Sequence, residues 1–338
     1  MTRIARLPPT NPSQQCGLES PSLIRYSPRG FPPYERFSID RKTPVSDAQP
    51  RIYAGLSHVT YSGDPLQLGC GIVLRSTYAH LFNASMMAFA RAEKGRPHPA
   101  PWHPARGGFS YDVHVELAVP TAQYFPGGLS GEDVVWLIAA MLRLANYPHL
   151  MVPIISDTPF DAAATSKNQP LLRPYEIEPR ILHAEAEASH LKIEDLQWVK
   201  SVWAQTAELL RTSSQLNMAL RAADACTVRG RPASALLMAW GALEELFAPS
   251  RVELRFRVSA HIAAYLEPVG PKRLELFRMI ADLYNARSKA AHSAQDAEVT
   301  ALLRSFVILR NTLIQIIEDG AIPTQIDLEQ RLFCGENN

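Results

Sequence analysis

Cysteine is scarce in this 338-residue chain: Cys16, Cys70, Cys226 and Cys334 lie far apart and form no C-x-x-C pair. That excludes a disulfide framework and a thiolate zinc site, and it fits a reducing cytoplasm. Charge of one sign is also lacking. With 34 Lys+Arg against 33 Asp+Glu the net charge is +1, so the chain is no general polyanion binder. Any nucleic-acid contact needs a local patch. Long hydrophobic runs are missing: Arg143 interrupts the longest apolar helical stretch, near Val134 to Leu142, well short of a membrane span. The first twenty residues hold no signal-peptide core, so the expectation is a chain neither exported nor anchored. No G-x-x-x-x-G-K-[ST], G-x-G-x-x-G or G-x-S-x-G occurs, which removes phosphate-cradling loops and a nucleophile elbow.

What is present is a chain with 46% hydrophobic residues, ample for buried cores. Residues 1–48 are dense in proline and carry no apolar periodicity. They read as an extended arm, either a plain tail or a partner-binding polyproline segment. Residues 49–185 change to short apolar or alternating stretches broken by Gly and Pro. Ile52 to Val59, Gly71 to Leu74, Ser110 to Val119 and Met151 to Ile155 read as strands. Ser130-Gly131-Glu132-Asp133 has capping-box spacing and opens a helix whose face is Val134, Leu137, Ile138, Met141 and Leu142. The reading is a mixed, mostly β N-terminal domain.

From about 190 to 320 the period is helical, with only four prolines between residues 181 and 320. Leu196, Val199, Trp203 and Leu210 mark one helix. Leu236, Trp240, Leu243 and Phe247 mark another that starts at Pro232. Leu254, Val258, Ile262 and Leu266 follow, then Leu274, Phe277, Ile280, Leu283 and Tyr284, then Val299, Leu302, Phe306, Leu309, Leu313 and Ile316. The fold class is α+β, with an all-α C-terminal bundle expected to fold by itself and an acidic tail at 321–338. Residues 251–310 hold ten Lys/Arg against six Asp/Glu, whereas 311–338 hold one against five.

The basic excess surrounds Arg287-Ser288-Lys289-Ala290-Ala291-His292, at the end of a helical stretch. An arginine supplies a fixed cation and a histidine titrates near neutrality. RNA cleavage needs both: a ribose 2′-hydroxyl loses a proton, a 5′-oxygen gains one, and charge accumulates on the phosphate. A step of five residues on a helix turns about 500°, which leaves Arg287 and His292 about 140° apart. Two protomers about a two-fold axis would bring four such side chains into one cleft. The alternative is a structural pair, the arginine satisfying helix C-terminal carbonyls and the histidine capping the exit into Ser293.

Upstream stand Ala242-Leu243-Glu244-Glu245-Leu246-Phe247, then Glu253-Leu254-Arg255-Phe256-Arg257, then Leu283-Tyr284-Asn285-Ala286 running into Arg287. This order resembles the Apea-like branch of the HEPN superfamily, which reads ALE-x-LF, E-L-x-x-R and LY-x-x-RSK-x-x-HG, over about residues 195–320. The resemblance implies a helical bundle and a metal-independent ribonuclease acting as a homodimer, with Arg287 and His292 catalytic and no cofactor. Ser288 and Lys289 would assist by binding phosphate. It also implies a defence role, such as growth arrest on phage infection, with the N-terminal domain sensing a phage or host trigger. Ser288 stands where many active members carry Asn, Asp or His, and Ser293 where the family usually has Gly. A second implication is therefore a non-catalytic dimeric scaffold that binds RNA, a nucleotide or a partner.

Glu244 can orient Arg287 or Arg257 across the bundle, or border the core. Tyr284 can stack on a base or pack in the core. His98 and His103 lie in a Pro-rich stretch without a nearby carboxylate or cysteine, a poor metal site. Asp112, His114 and Glu116 share one face of a strand, read as its plain outward side.

Overall fold

The computed structural model describes residues 50–82, 86–104, 110–167, 169–176, 178, 180, 188–228, 230–248, 253–292 and 298–334. The proline-dense arm 1–48 and Ser293 lie outside the described residues. The strands are β1 (Arg51–Ser57), β2 (Val59–Thr60), β3 (Leu66–Gly69), β4 (Ile72–Leu81), β5 (Met86–Ala88), β6 (Trp102–Pro104), β7 (Tyr111–Pro120), β8 (Met151–Ser156), β9 (Leu172–Pro174) and β10 (Ser189–His190). The helices are α1 (Gly131–Ala145), α2 (Phe160–Ala163), α3 (Ile193–Thr212), α4 (Ser214–Ala225), α5 (Pro232–Phe247), α6 (Leu254–Leu266), α7 (Pro271–His292), α8 (Val299–Asp319) and α9 (Gln325–Phe333). The class is α+β, strands mostly N-terminal and helices C-terminal.

Six strands form one sheet in the order β3-β4-β7-β1-β8-β9, every pairing antiparallel. The four strands read from alternation correspond to β1, β4, β7 and β8. β4 runs seven residues past Leu74, because Arg75 to Leu81 have little apolar alternation of their own and are held extended by the ladder to β7. Val115, Leu117 and Val119 enter the main core, while Val113 and Ile154 meet Phe160 of α2 in a smaller cluster. With both faces covered, β8 is buried along its whole length.

α1 starts where the sequence says: Ser130 accepts from the Asp133 amide and Asp133 returns the bond, closing a capping box. It packs on β7 and β1 with one side and on α3, α4 and α8 with the other. Trp203 of α3 donates to the Leu68 carbonyl at 2.8 Å, fixing α3 against β3. The turn before α1 presses on α3 as well, where Gly127 has φ +70 and a Cβ would collide with the Ala207 carbonyl. Arg310 of α8 reaches back to the Leu144 and Ala145 carbonyls, satisfying the open end of α1.

Residues 48–338 consequently form one compact unit. The change near residue 190, drawn from composition, is a change of secondary structure within a shared core. The acidic segment 321–338 contributes α9, opened by a Thr324–Asp327 capping box, and lays Leu328 into the core beside α6. Among the described residues α8 alone is long and apolar enough to cross a membrane, and ten of its residues are buried in this core.

Candidate active site at the end of helix α7

Helix α7 stays helical through His292, so the condition for the five-residue step between Arg287 and His292 is met. The His292 side chain lies outside what the structure describes. Arg287 sits on the face that α7 turns toward α5, and there it meets Glu244. The Arg287 Nη2 is 3.1 Å from Glu244 Oε1 and donates to Oε2 at 3.3 Å. Both side chains are largely covered, 26% and 19% exposed, so this pair is worth more than a surface ion pair. Of the two arginines open to Glu244 in the sequence, the structure selects Arg287.

Beneath the pair lies an aromatic stack. Tyr284, one turn before Arg287, is buried edge-to-face on Trp240 of α5, with centroids 5.2 Å apart at 87°. The Arg287 guanidinium lies 5.5 Å from the Tyr284 ring, within cation–π range. Trp240 in turn donates to Ser305 of α8 at 3.0 Å. Burial first, then the charge of Glu244 and its hydrogen bond to the phenol, push the Tyr284 pKa above its ordinary value, with Arg287 opposing. Tyr284 is therefore the core aromatic of the two alternatives, and it carries Arg287 rather than offering a face to a base.

Arg287 is not fully satisfied. Its Nε is buried and has no hydrogen-bond partner among the described residues. Ser288 is half-buried and Lys289 exposed. Cations in the last turn of α7 also face the negative end of the helix dipole, which favours them there.

The other sequence candidates separate from this place. Glu116 is fully buried: it binds Arg75 at 2.8 Å and accepts from the Phe160 amide at 2.8 Å. The outward reading of that β7 face is thus corrected at Glu116, because the chain leaving β8 folds α2 over it. Asp112 remains exposed, with His80 at 2.8 Å. His98 bonds the Ala90 carbonyl and His103 touches Phe89. No metal-holding group of His, Cys, Asp and Glu exists among the described residues.

One buried polar cluster was missed in the sequence. Arg143 of α1, 2% exposed, pairs with Glu176 at 2.6 Å and with Asp224 of α4 at 2.7 Å. Arg180 joins both carboxylates at 3.1 and 3.2 Å. Burial alone would raise the Asp224 carboxyl, yet the two arginines outweigh it and hold the pKa below the ordinary value. The signal was Arg143 itself, a lone cation inside an apolar helix, which requires partners wherever it is buried. This quartet ties α1 to α4 through Arg143 and Asp224.

No protein-family model matches the chain, and no curated protein or solved structure matches it.

Proposed function

We propose that the chain is a metal-independent RNA endonuclease of the HEPN kind. The observation that carries the reading is the seating of Arg287: a cation in the R-x4-H pattern, held by Glu244, floored by Tyr284 and placed five residues before the helix end at His292. In the reaction the ribose 2′-oxygen attacks phosphorus while the bond to the 5′-oxygen breaks, giving a 2′,3′-cyclic phosphate and a 5′-hydroxyl. His292 takes the 2′-proton or supplies the proton to the leaving oxygen. Arg287, with Nη2 held by Glu244, offers Nη1 to the charge that builds on the phosphorane. Ser288 and Lys289 bind the flanking phosphate. Antiphage growth arrest, triggered through the strand-rich region, is the role this chemistry would serve.

The active species in this reading is a homodimer. Val299, Leu303 and Val307 form an exposed stripe at i, i+4 and i+8 on α8, the helix that follows the motif helix. Across a groove stands Met279 of α7. A second copy covering this stripe would set two motif helices side by side, supplying the pairing that the angle between Arg287 and His292 demands.

A second reading, a non-catalytic HEPN-type scaffold binding RNA, a nucleotide or a partner, is favoured by the same ion pair: a covered arginine neutralised by a carboxylate is also how a structural arginine sits. Purified protein incubated with total RNA in EDTA separates the two. The nuclease cuts, and His292→Ala and Arg287→Ala abolish cutting without loss of fold. The scaffold cuts nothing.

A further inference from the structure

The distal half of the β4–β7 ladder carries exposed rings that the core does not use. Tyr78 and His80 alternate along β4 and so share a face, and Phe82, just past the strand's end, joins them by packing on the His80 ring. Tyr78 and Phe82 are 64% and 77% exposed. They are ordered all the same. The Tyr78 hydroxyl bonds Asp112 at 3.2 Å, and its ring lies 5.7 Å from His114 of β7. His80 bonds Asp112 at 2.8 Å and packs against Phe82 with centroids 4.6 Å apart.

At the end of this ladder, where Leu81 stands opposite Tyr111, the chain makes an excursion that contains the β5–β6 hairpin. It presents more rings: Phe89 is 62% and Trp102 53% exposed, and Phe89 packs on His103 at 5.6 Å. The Trp102 indole donates to the His98 and Pro99 carbonyls, which fixes its orientation. Between the hairpin strands Arg91, Lys94 and Arg96 are exposed, and among the described residues only Arg96 holds an ion pair, to Glu93. Residues 76–115 contain four Lys/Arg against two Asp/Glu, together with four of the ten histidines.

We propose that these two groups of exposed rings, Tyr78 and Phe82 at the end of the β4–β7 ladder and Phe89 and Trp102 on the β5–β6 hairpin, bind single-stranded nucleic acid by base stacking while Arg91 and Lys94 of the hairpin contact the backbone. Preordered, solvent-facing rings with cations on the same excursion are what an unpaired strand recognises: every base has a π-face, and the phosphates follow the charge. The inference does not depend on the motif at the end of α7. In the nuclease reading the platform would hold substrate; in the scaffold reading it would be the binding function itself.

The test is fluorescence anisotropy of the full chain with a labelled oligodeoxythymidine of about 12 nucleotides, a span suited to a stacking surface. It lacks the 2′-hydroxyl, so it cannot be cleaved, and its binding is read independently of Arg287 and His292. Binding is expected, with preference over duplex of the same length. The pair Tyr78→Ala and Phe82→Ala should weaken it between about tenfold and a hundredfold, and Arg91→Gln with Lys94→Gln should flatten its salt dependence by about one to two in logarithmic slope. Circular dichroism checks that the variants remain folded. No binding at low salt, equal binding of duplex, or binding indifferent to loss of the rings would each overturn the proposal, and the last two would leave charge alone as the attraction. Failure here with RNA cleavage intact would leave the nuclease reading standing, and the converse outcome would leave the platform standing.

Discussion

Arg287 and Glu244, 43 residues apart in the chain, meet at 3.1 Å across the α5–α7 contact, above the Tyr284 ring. The pair has a structural and a chemical consequence. Glu244→Gln keeps the shape and removes the charge, which should cost about 1–2 kcal/mol for a largely covered charged hydrogen bond. Urea unfolding reads that loss. In the nuclease reading the same variant lowers the rate of cleavage, because Arg287 is no longer aimed. Arg287→Lys should rescue stability in part but not cleavage, since an ammonium cannot hold Glu244 and a phosphate with separate nitrogens. Full cleavage by Glu244→Gln would sink the positioning role.

The stripe on α8 makes the oligomer testable without touching the motif. Wild-type protein should be a dimer by light scattering at micromolar concentration. Leu303→Asp with Val307→Asp, both on exposed positions, should yield a folded monomer. Cleavage should fall with the dimer. A monomeric wild type that still cuts RNA would refute the shared cleft.

Acid stability should report the buried quartet. The folded Asp224 pKa lies below its ordinary value of 3.8, so the unfolded chain binds the proton more readily. Its contribution to stability is complete above about pH 4 and is lost as pH falls through the lower folded value. Asp224→Asn should remove that part of the acid limb. It should also destabilise at neutral pH by about 3–5 kcal/mol, because Arg143 and Arg180 lose a buried counter-charge. A variant as stable as wild type at pH 7 would show that water already screens the cluster.

The sequence carried the elements and the contact at the motif for a common reason: both depend on local period. Alternation marks β1, β7 and β8, and helical spacing places Glu244 and Arg287 on apolar-flanked helices that face each other. What stayed hidden depends on distant segments. Glu116 alternates with Val115 and Leu117 as an outward residue would, and only the return of residues 157–163 over β7 covers it. Arg143 shows that a partner is needed but not that Glu176 and Asp224 supply it. Tyr78 lies beyond Leu74, where apolar alternation stops, and only the ladder to β7 shows that the strand continues through it.

Truncation tests how far the helical part depends on the strands. Composition alone suggests that residues 190–320 fold unaided; the packing argues otherwise. α1 lies between the sheet and helices α3, α4 and α8, so removing residues 1–185 uncovers Val199 and Trp203 on α3. It also strands charges. Asp224 loses Arg143 and Arg180, and Arg310 loses the α1 carbonyls it binds. Exposing several large apolar side chains at about 1.5–3 kcal/mol each is enough to cancel the net stability of an ordinary domain. The 190–320 fragment should therefore be insoluble or molten, recognised by dye binding and absent near-UV dichroism. A fragment starting at residue 49, which keeps the sheet, α1 and α9, should unfold in one cooperative transition. A fragment of residues 190–320 that melts as sharply as the longer one would show that the helices bury a sufficient core among themselves, and α1 would then be a lid on the bundle rather than its missing layer.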